Sequence, residues 1–236
     1  MNNPQPAPQG PTLRAHFFVL LDRSGSMEAM RADVIGGFND LIAKQQEAIG
    51  PEPRITLVQF DSQDPQEVLV DARRISRARP LTPTTFSPRG GTPLLDATGR
   101  LIARATVREQ ERKILGKRPE AITFITFTDG QENQSREYTV TDIRSLVKAK
   151  EADGWTFSFL GAGLDAYAEA RAMGYDDRSI QAFAPDGTGA TLAFRNLDRA
   201  MERKRRYLAA NAPHEARDFF EGDKDAEEDR LRRHGQ

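Results

Sequence analysis

The sequence predicts an α/β fold: a doubly wound, mostly parallel central sheet with one antiparallel edge strand and helices on both faces. Short apolar runs at 17–21, 55–60, 67–70, 121–128, 155–160 and 180–183 are separated mostly by longer stretches of helical period. The first run, Phe17-Phe18-Val19-Leu20-Leu21, is apolar on both faces, as a strand covered by helices on either side must be. The link at 61–66 is too short for a crossover helix, so 55–60 and 67–70 form a hairpin that reverses at a sheet edge.

Each element then follows in order. Met30, Val34, Phe38, Leu41 and Ile42 repeat with helical spacing from Glu28 to about Ala48, and Gly50-Pro51 ends the pattern. Residues 73–91 show little periodicity and read as a surface excursion that delivers the chain to Gly90-Gly91-Thr92-Pro93. Thr92 followed by Pro93 is a helix-start pattern, since a threonine oxygen accepts an orphan amide and proline has none to satisfy. The helix beginning there, to about Leu115, carries Leu94, Thr98, Leu101, Ile102 and Ala105 on one face, with Gly99 marking a close approach. Val140, Ile143, Leu146 and Val147 pattern a helix to about Asp153, 164–173 a short one, and 191–210 the last.

Domain organisation is read as a flexible proline-rich leader at 1–12, one folded domain at 13–210 and a charged, disordered tail at 211–236 with only Phe219-Phe220 apolar. The chain of 236 residues is long enough for a core without staples, and it has no cysteine, which excludes disulfides, thiolate zinc sites and cysteine nucleophiles. With 34 Lys+Arg against 35 Asp+Glu, bulk charge makes no case for nucleic acid or an anionic membrane. No apolar run approaches the length of a membrane span, and the Asn/Pro/Gln-rich start is not a secretory signal. A cytoplasmic location is the expectation.

The chemistry gathers at strand ends. Asp22, Ser24 and Ser26 alternate through Asp22-Arg23-Ser24-Gly25-Ser26, where the first strand stops, so their oxygens can aim at one point. Asp129 ends the 121–128 strand, and Thr92 follows a Gly-Gly turn. In a doubly wound sheet, sites form outside the carboxyl ends of the strands. An all-oxygen set of two carboxylates and three hydroxyls selects a hard cation, Mg²⁺ first, with Mn²⁺ or Ca²⁺ as alternatives.

These three segments, Asp22-Arg23-Ser24-Gly25-Ser26, Gly91-Thr92-Pro93 and Thr128-Asp129-Gly130, resemble the metal-ion-dependent adhesion site (MIDAS) of the von Willebrand factor type A (VWA) family, over roughly residues 13–210. The resemblance implies a Rossmann-like VWA fold, direct ligation by Ser24, Ser26 and Thr92, and ligation by Asp22 and Asp129 directly or through water. It also implies that an acidic residue of a partner protein takes the open position. Gly25, Gly91, Gly130 and Asp61 would support these loops; Asp61 reads equally as a residue closing its own turn.

The function expected is that of a cation-dependent protein-binding module, an intracellular adaptor of the bacterial stand-alone type, and not an enzyme. By family analogy its partner is an AAA+ ATPase or a stress or defence complex. The alternative is a metal-assisted phosphoryl-transfer or hydrolytic enzyme using the same Mg²⁺ site. Against it, position 24 is not the second aspartate of a DxD phosphatase, no GxxxxGK[ST] loop occurs, and no histidine lies near Ser24 in sequence. His16 and Trp155 read as structural, and Arg203 to Arg206 as a cluster favoured by a helix C-terminus. Neither nucleic acid nor membrane is expected as a partner, and the oligomeric state is left open. One further expectation concerns the tail, whose carboxylates (Glu215, Glu221, Asp223, Asp225, Glu227, Glu228, Asp229) could fill the open metal position if they are free.

Overall fold

The computed structural model describes residues 13–163, 165–210, 219–220 and 222–234. Its strands are β1 (Arg14–Asp22), β2 (Arg54–Phe60), β3 (Glu67–Arg74), β4 (Glu120–Thr128), β5 (Thr156–Ala162) and β6 (Ile180–Phe183). They form one six-stranded sheet in the order β3-β2-β1-β4-β5-β6. β3 runs antiparallel to β2, and every other pairing is parallel. The chain winds outward from β1 to β3, then returns to lay β4 on the other side of β1. That reversal between β1 and β4 is the topological switch point, where the carboxyl ends of the strands open a crevice.

The helices are α1 (Arg31–Glu47), α2 (Leu94–Ile114), α3 (Val140–Ala152), α4 (Ala166–Ala172), α5 (Gly187–Ala209) and α6 (Asp225–His234). Alternate residues of β1 face opposite layers. Phe17, Val19 and Leu21 join Val34 and Phe38 of α1 and Ala193, Phe194 and Leu197 of α5. Phe18 and Leu20 join Leu94, Leu101 and Ile102 of α2 with Ile143 and Val147 of α3. This two-sided burial is why the run 17–21 has no polar face.

Local starts and stops follow from particular residues. A 3-10 turn, Gly25–Met30, precedes α1, so the predicted helix from Glu28 becomes regular only at Arg31. α3 opens on a reciprocal cap: Thr139 Oγ1 accepts from Asp142 N (3.2 Å) and Asp142 Oδ2 from Thr139 N (2.8 Å). α5 begins at Gly187, four residues before the predicted start, because Asp186 caps it through Gly189 N (2.8 Å). The ring of Tyr138 lies over Gly99, where a Cβ would stand 2.6 Å from it. The 73–91 segment is less of an excursion than its composition suggests: Ile75, Leu81 and Phe86 are buried, and Asn39 brackets Leu81 through both its N–H (2.7 Å) and its carbonyl (2.9 Å).

The tail differs from expectation. The predicted leader lies outside the described residues, as do Glu215 and Glu221, but 219–220 and 222–234 belong to the folded body. Phe219, Phe220 and Ala226 are buried in the α1/α5 layer. Asp223, read as a free carboxylate, accepts from Arg199 Nε (2.6 Å) and Arg203 Nη1 (2.7 Å), and its carbonyl accepts from Gln181 Nε2 (2.5 Å). Glu227 accepts from the Tyr167 hydroxyl (3.1 Å), Asp225 from Arg199 (2.7 Å) and Asp229 from Arg233 (2.7 Å). Mixed charge here is intramolecular pairing, and two phenylalanines with one alanine supply the anchoring that periodicity alone does not reveal. The 203–206 cluster is likewise only partly a surface feature: Lys204 and Arg205 are buried, Arg205 donating to the carbonyls of Gln45 (2.9 Å) and Ala48 (3.0 Å). Among the described residues, no helix is long and apolar enough to cross a membrane.

Candidate metal site

β1 and β4, paired in parallel, carry Asp22 and Asp129 to the same edge of the sheet. Asp22 is fully buried, and its two oxygens are held separately: Oδ1 accepts from Ser24 N (2.6 Å) and Oδ2 from Thr128 Oγ1 (2.5 Å). Ser24 Oγ lies 3.1 Å from Ser26 Oγ, which donates to Asp129 Oδ1 (2.8 Å). Thr92 completes the group from the other side of the crevice. A Cβ placed on Gly130 would lie 2.9 Å from Thr92 Oγ1, 3.6 Å from Ser26 Oγ and 3.7 Å from Ser24 Oγ. The structure therefore brings Asp22, Ser24, Ser26, Thr92 and Asp129 together around one point, and the missing side chain of Gly130 leaves that point open.

Thr92 does not cap α2. Its own N–H donates to Asn133 Oδ1 (2.9 Å), while the first amides of the helix, Leu95 N and Asp96 N, donate to Glu132 Oε2 (2.8 Å) and Ser135 Oγ (3.0 Å). The loop after β4 thus takes over the capping duty and releases the Thr92 hydroxyl. Asp96 returns the favour, accepting from the amides of Arg136 (2.8 Å), Glu137 (2.9 Å) and Tyr138 (3.0 Å).

The supporting residues sit one layer out. Gly25 N donates to Gly90 O (3.0 Å), stitching the first turn to the 90–92 segment, and Gly91 N donates to Ser62 Oγ (2.9 Å), tying that segment to the link between β2 and β3. Arg23 points away from its neighbours Asp22 and Ser24, to Asp61 Oδ2 (Nε, 2.8 Å) and Glu67 Oε2 (Nη1, 2.5 Å). Asp61 also accepts from Arg89 Nε (3.0 Å) and Gln63 N (2.7 Å). It therefore both closes its own turn and holds Arg89, just before the 90–92 segment, with no hydrogen bond to the five site residues. Thr128, Asn133 and Glu132 were not legible as site residues. A threonine at a strand end and an Asn/Glu pair in a loop carry no signal until the loop is seen to fold over α2.

The electrostatics of the group suit a cation. Burial pushes the Asp22 carboxyl up to about 7, against the hydrogen bonds from Thr128 and Ser24, with Asp129 adding to the rise. Burial also raises Asp129. Two carboxyl groups stand where negative charge is costly, beside three hydroxyls, and no basic side chain among the described residues is hydrogen-bonded to either. A hard divalent cation fits that donor set, and Gly130 leaves room for one. Among the described residues no group of three or more His, Cys, Asp or Glu could hold a metal, so a site of this kind depends on hydroxyls. A pocket of about 170 Å³ adjoins Asp129 on the β5 side, lined also by Gly130, Asp165 and Glu169.

No family model matches the chain, and no curated protein matches it. Solved structures do. The pilus adhesin SpaC from Lactobacillus rhamnosus GG, in its open conformation, superposes with a TM-score of 0.61 at 13% identity, covering 84% of this chain and 31% of that one. The VWA domain of SpRpn10 superposes with a TM-score of 0.50 at 16% identity, over 78% of this chain and 95% of that one. The fold is that of a von Willebrand factor type A domain. Proximal thread matrix protein 1 from the mussel byssus, in a form whose MIDAS motif is occupied by zinc, gives a TM-score of 0.54 at 13% identity over 81% of this chain and 46% of that one. The VWA-like chain thus spans about half the length of that structure.

Proposed function

We propose that the chain is a divalent-cation-dependent protein-binding module, an intracellular adaptor or assembly factor that engages an acidic residue of a partner protein at a MIDAS. The observation that carries this reading is the convergence of Asp22, Ser24, Ser26, Thr92 and Asp129 on one open point at the β1/β4 switch. Ser24, Ser26 and Thr92 would hold Mg²⁺, or Mn²⁺ or Ca²⁺, through hydroxyl oxygens, with Asp22 and Asp129 neutralising it directly or through water. The cation would supply electrophilicity toward a carboxylate. The protein's part is to fix the hydroxyls: Thr128 and the Ser24 amide lock Asp22, and Glu132 and Ser135 free Thr92 from helix capping. The byssus protein's zinc-occupied MIDAS and the VWA-like fold of an adhesin support the reading by analogy. An AAA+ ATPase or a stress or defence complex is the partner class we favour, and a cytoplasmic setting goes with it.

Calorimetric titration with Mg²⁺ is expected to show one site that Ser24→Ala and Asp129→Ala abolish, and partner capture from the native host is expected to be lost in EDTA. A partner set unchanged by EDTA and by Ser24→Ala overturns the proposal. Hydrolysis of a generic phosphate ester with Mg²⁺, lost in Asp129→Ala, would replace it with the enzymatic alternative.

A further inference from the structure

At the opposite end of the sheet from Asp22, where β1, β2 and β4 begin, arginines outnumber the acids that pair with them. The length of β1, Arg14–Asp22, separates the two ends by roughly 26 Å at the usual rise of a strand. A pocket of about 320 Å³ there is lined by Arg54, Asp71, Arg73, Arg74, Arg77 and Arg108, together with Ala72. Its acids are already engaged. Asp71 pairs with Arg104 (2.7 Å) and Arg74 with Glu52 (3.6 Å). Arg54 (3.1 Å), Arg108 (3.4 Å) and Arg112 (3.3 Å) share the single buried carboxylate of Glu120. The side chains of Arg73 and Arg77 are exposed and make no hydrogen bond or ion pair with any described residue.

The backbone is arranged to create this crowding. Arg54 and Arg74 are direct cross-strand partners, a like-charge pairing that disfavours the sheet. Ala72, the one non-glycine residue with positive φ (48°) among those described, sits in the same strand next to register shifts in the β2/β3 ladder. Consecutive residues of a regular strand face opposite sides, yet 71 to 74 all border one pocket. Burial, with Arg108, Arg14 and Arg112 close by, lowers the Arg54 pKa despite Glu120, so charge is already unfavourable there before a ligand arrives.

We infer that the Arg54/Arg73/Arg77/Arg108 pocket is an anion site that takes a clustered phosphate group, independent of the cation-binding end. Guanidinium forks match phosphate oxygens two at a time, and two uncommitted arginines beside Arg54 and Arg108, which share one carboxylate with Arg112, call for more than a single negative charge. No aromatic side chain lines the pocket, so it offers the phosphate group no base-stacking surface. A small polyphosphorylated molecule and a nucleic-acid backbone present the same group.

The test is calorimetric titration of the full chain with tripolyphosphate and, separately, with a mixed-sequence single-stranded DNA 12-mer. It is run in EDTA, so that no cation can bridge the anion to the other end, at about 50 mM salt where phosphate contacts are little screened. Binding of either probe that falls at least tenfold in the R73Q/R77Q double variant supports the site, and the tighter probe identifies the source. Both replacements are on the surface, and circular dichroism verifies that the variant is folded. Absence of binding by both probes to the wild-type chain, or equal binding by the folded double variant, overturns the inference.

Discussion

Gly130 separates the site from the fold at the scale of one residue. A methyl group there would stand 2.9 Å from Thr92 Oγ1, closer than carbon normally approaches oxygen, while nothing in the core depends on its absence. Gly130→Ala is expected to weaken Mg²⁺ binding about tenfold or more, roughly 1.4 kcal/mol, by displacing the Thr92 hydroxyl. Because the contact is confined to the site, the unfolding free energy should fall by no more than about 1 kcal/mol, the ordinary size of a single substitution. Calorimetry and urea denaturation measure the two separately; unchanged metal affinity would mean that Thr92 does not converge on the cation. Of the five residues suggested for the site by motif, four have a spacing that itself forces convergence, Asp22, Ser24 and Ser26 by alternation and Asp129 by its place at a strand end; the fifth, Thr92, reads from spacing as a helix cap and is placed at the site by the resemblance. Thr128 and Asn133 could not be read that way, because each acts by hydrogen-bonding another residue rather than by its own position.

Elements were legible in proportion to how much of their stabilisation is local. β1 to β6 and α1 to α3 emerge from apolar period and turn chemistry, and the antiparallel β2/β3 pair from the shortness of its link. α6 was not legible, because what docks it is charge that finds partners across space: Arg199 and Arg203 of α5 bind Asp223 and Asp225, and Arg233 binds Asp186. The start of α5 differs from the reading for a local reason, since Gly187 and Gly189 look like loop although Asp186 caps them. If the 219–234 segment is structural, its aromatic anchor should matter as a core residue does. Phe220→Ala is expected to lower the unfolding free energy by about 3 kcal/mol, the scale of a large-to-small core replacement. A solvated tail would show less than about 0.5 kcal/mol, and urea denaturation distinguishes the two outcomes.

For the molecule as a whole, the near-zero net charge conceals buried ionisable groups whose protonation is linked to folding. Glu120 is the stabilising case. Burial alone would raise it, but the hydrogen bond and charge of His16 and the guanidiniums of Arg108 and Arg112 outweigh that and hold it at about 2. Burial lowers the pKa of His16 itself, so its ring is neutral at pH 7 and adds its charge to those of the arginines only in acid. Its contribution is present above the ordinary glutamate pKa of 4.5 and is lost as pH falls toward 2. Lys204 is the opposite case. It is buried between α5 and the sheet, with its ammonium donating to Thr156 Oγ1 (3.1 Å), and burial lowers its pKa from 10.5 to about 8. Because the folded state releases this proton more readily, the unfolded chain binds more protons between pH 8 and 10.5, so the lysine's penalty is constant below 8 and fades as pH rises through that window. Replacing it by a neutral side chain of similar shape removes the penalty and forfeits one hydrogen bond. Lys204→Met is therefore expected to stabilise the protein by about 2 kcal/mol at pH 7, the order set by the shift less the lost bond. The advantage over wild type should shrink steadily from pH 8 to 10.5 in urea denaturation series. A variant less stable than wild type at pH 7, or an advantage that does not change with pH, would show that the ammonium is better accommodated against β5 than its burial implies.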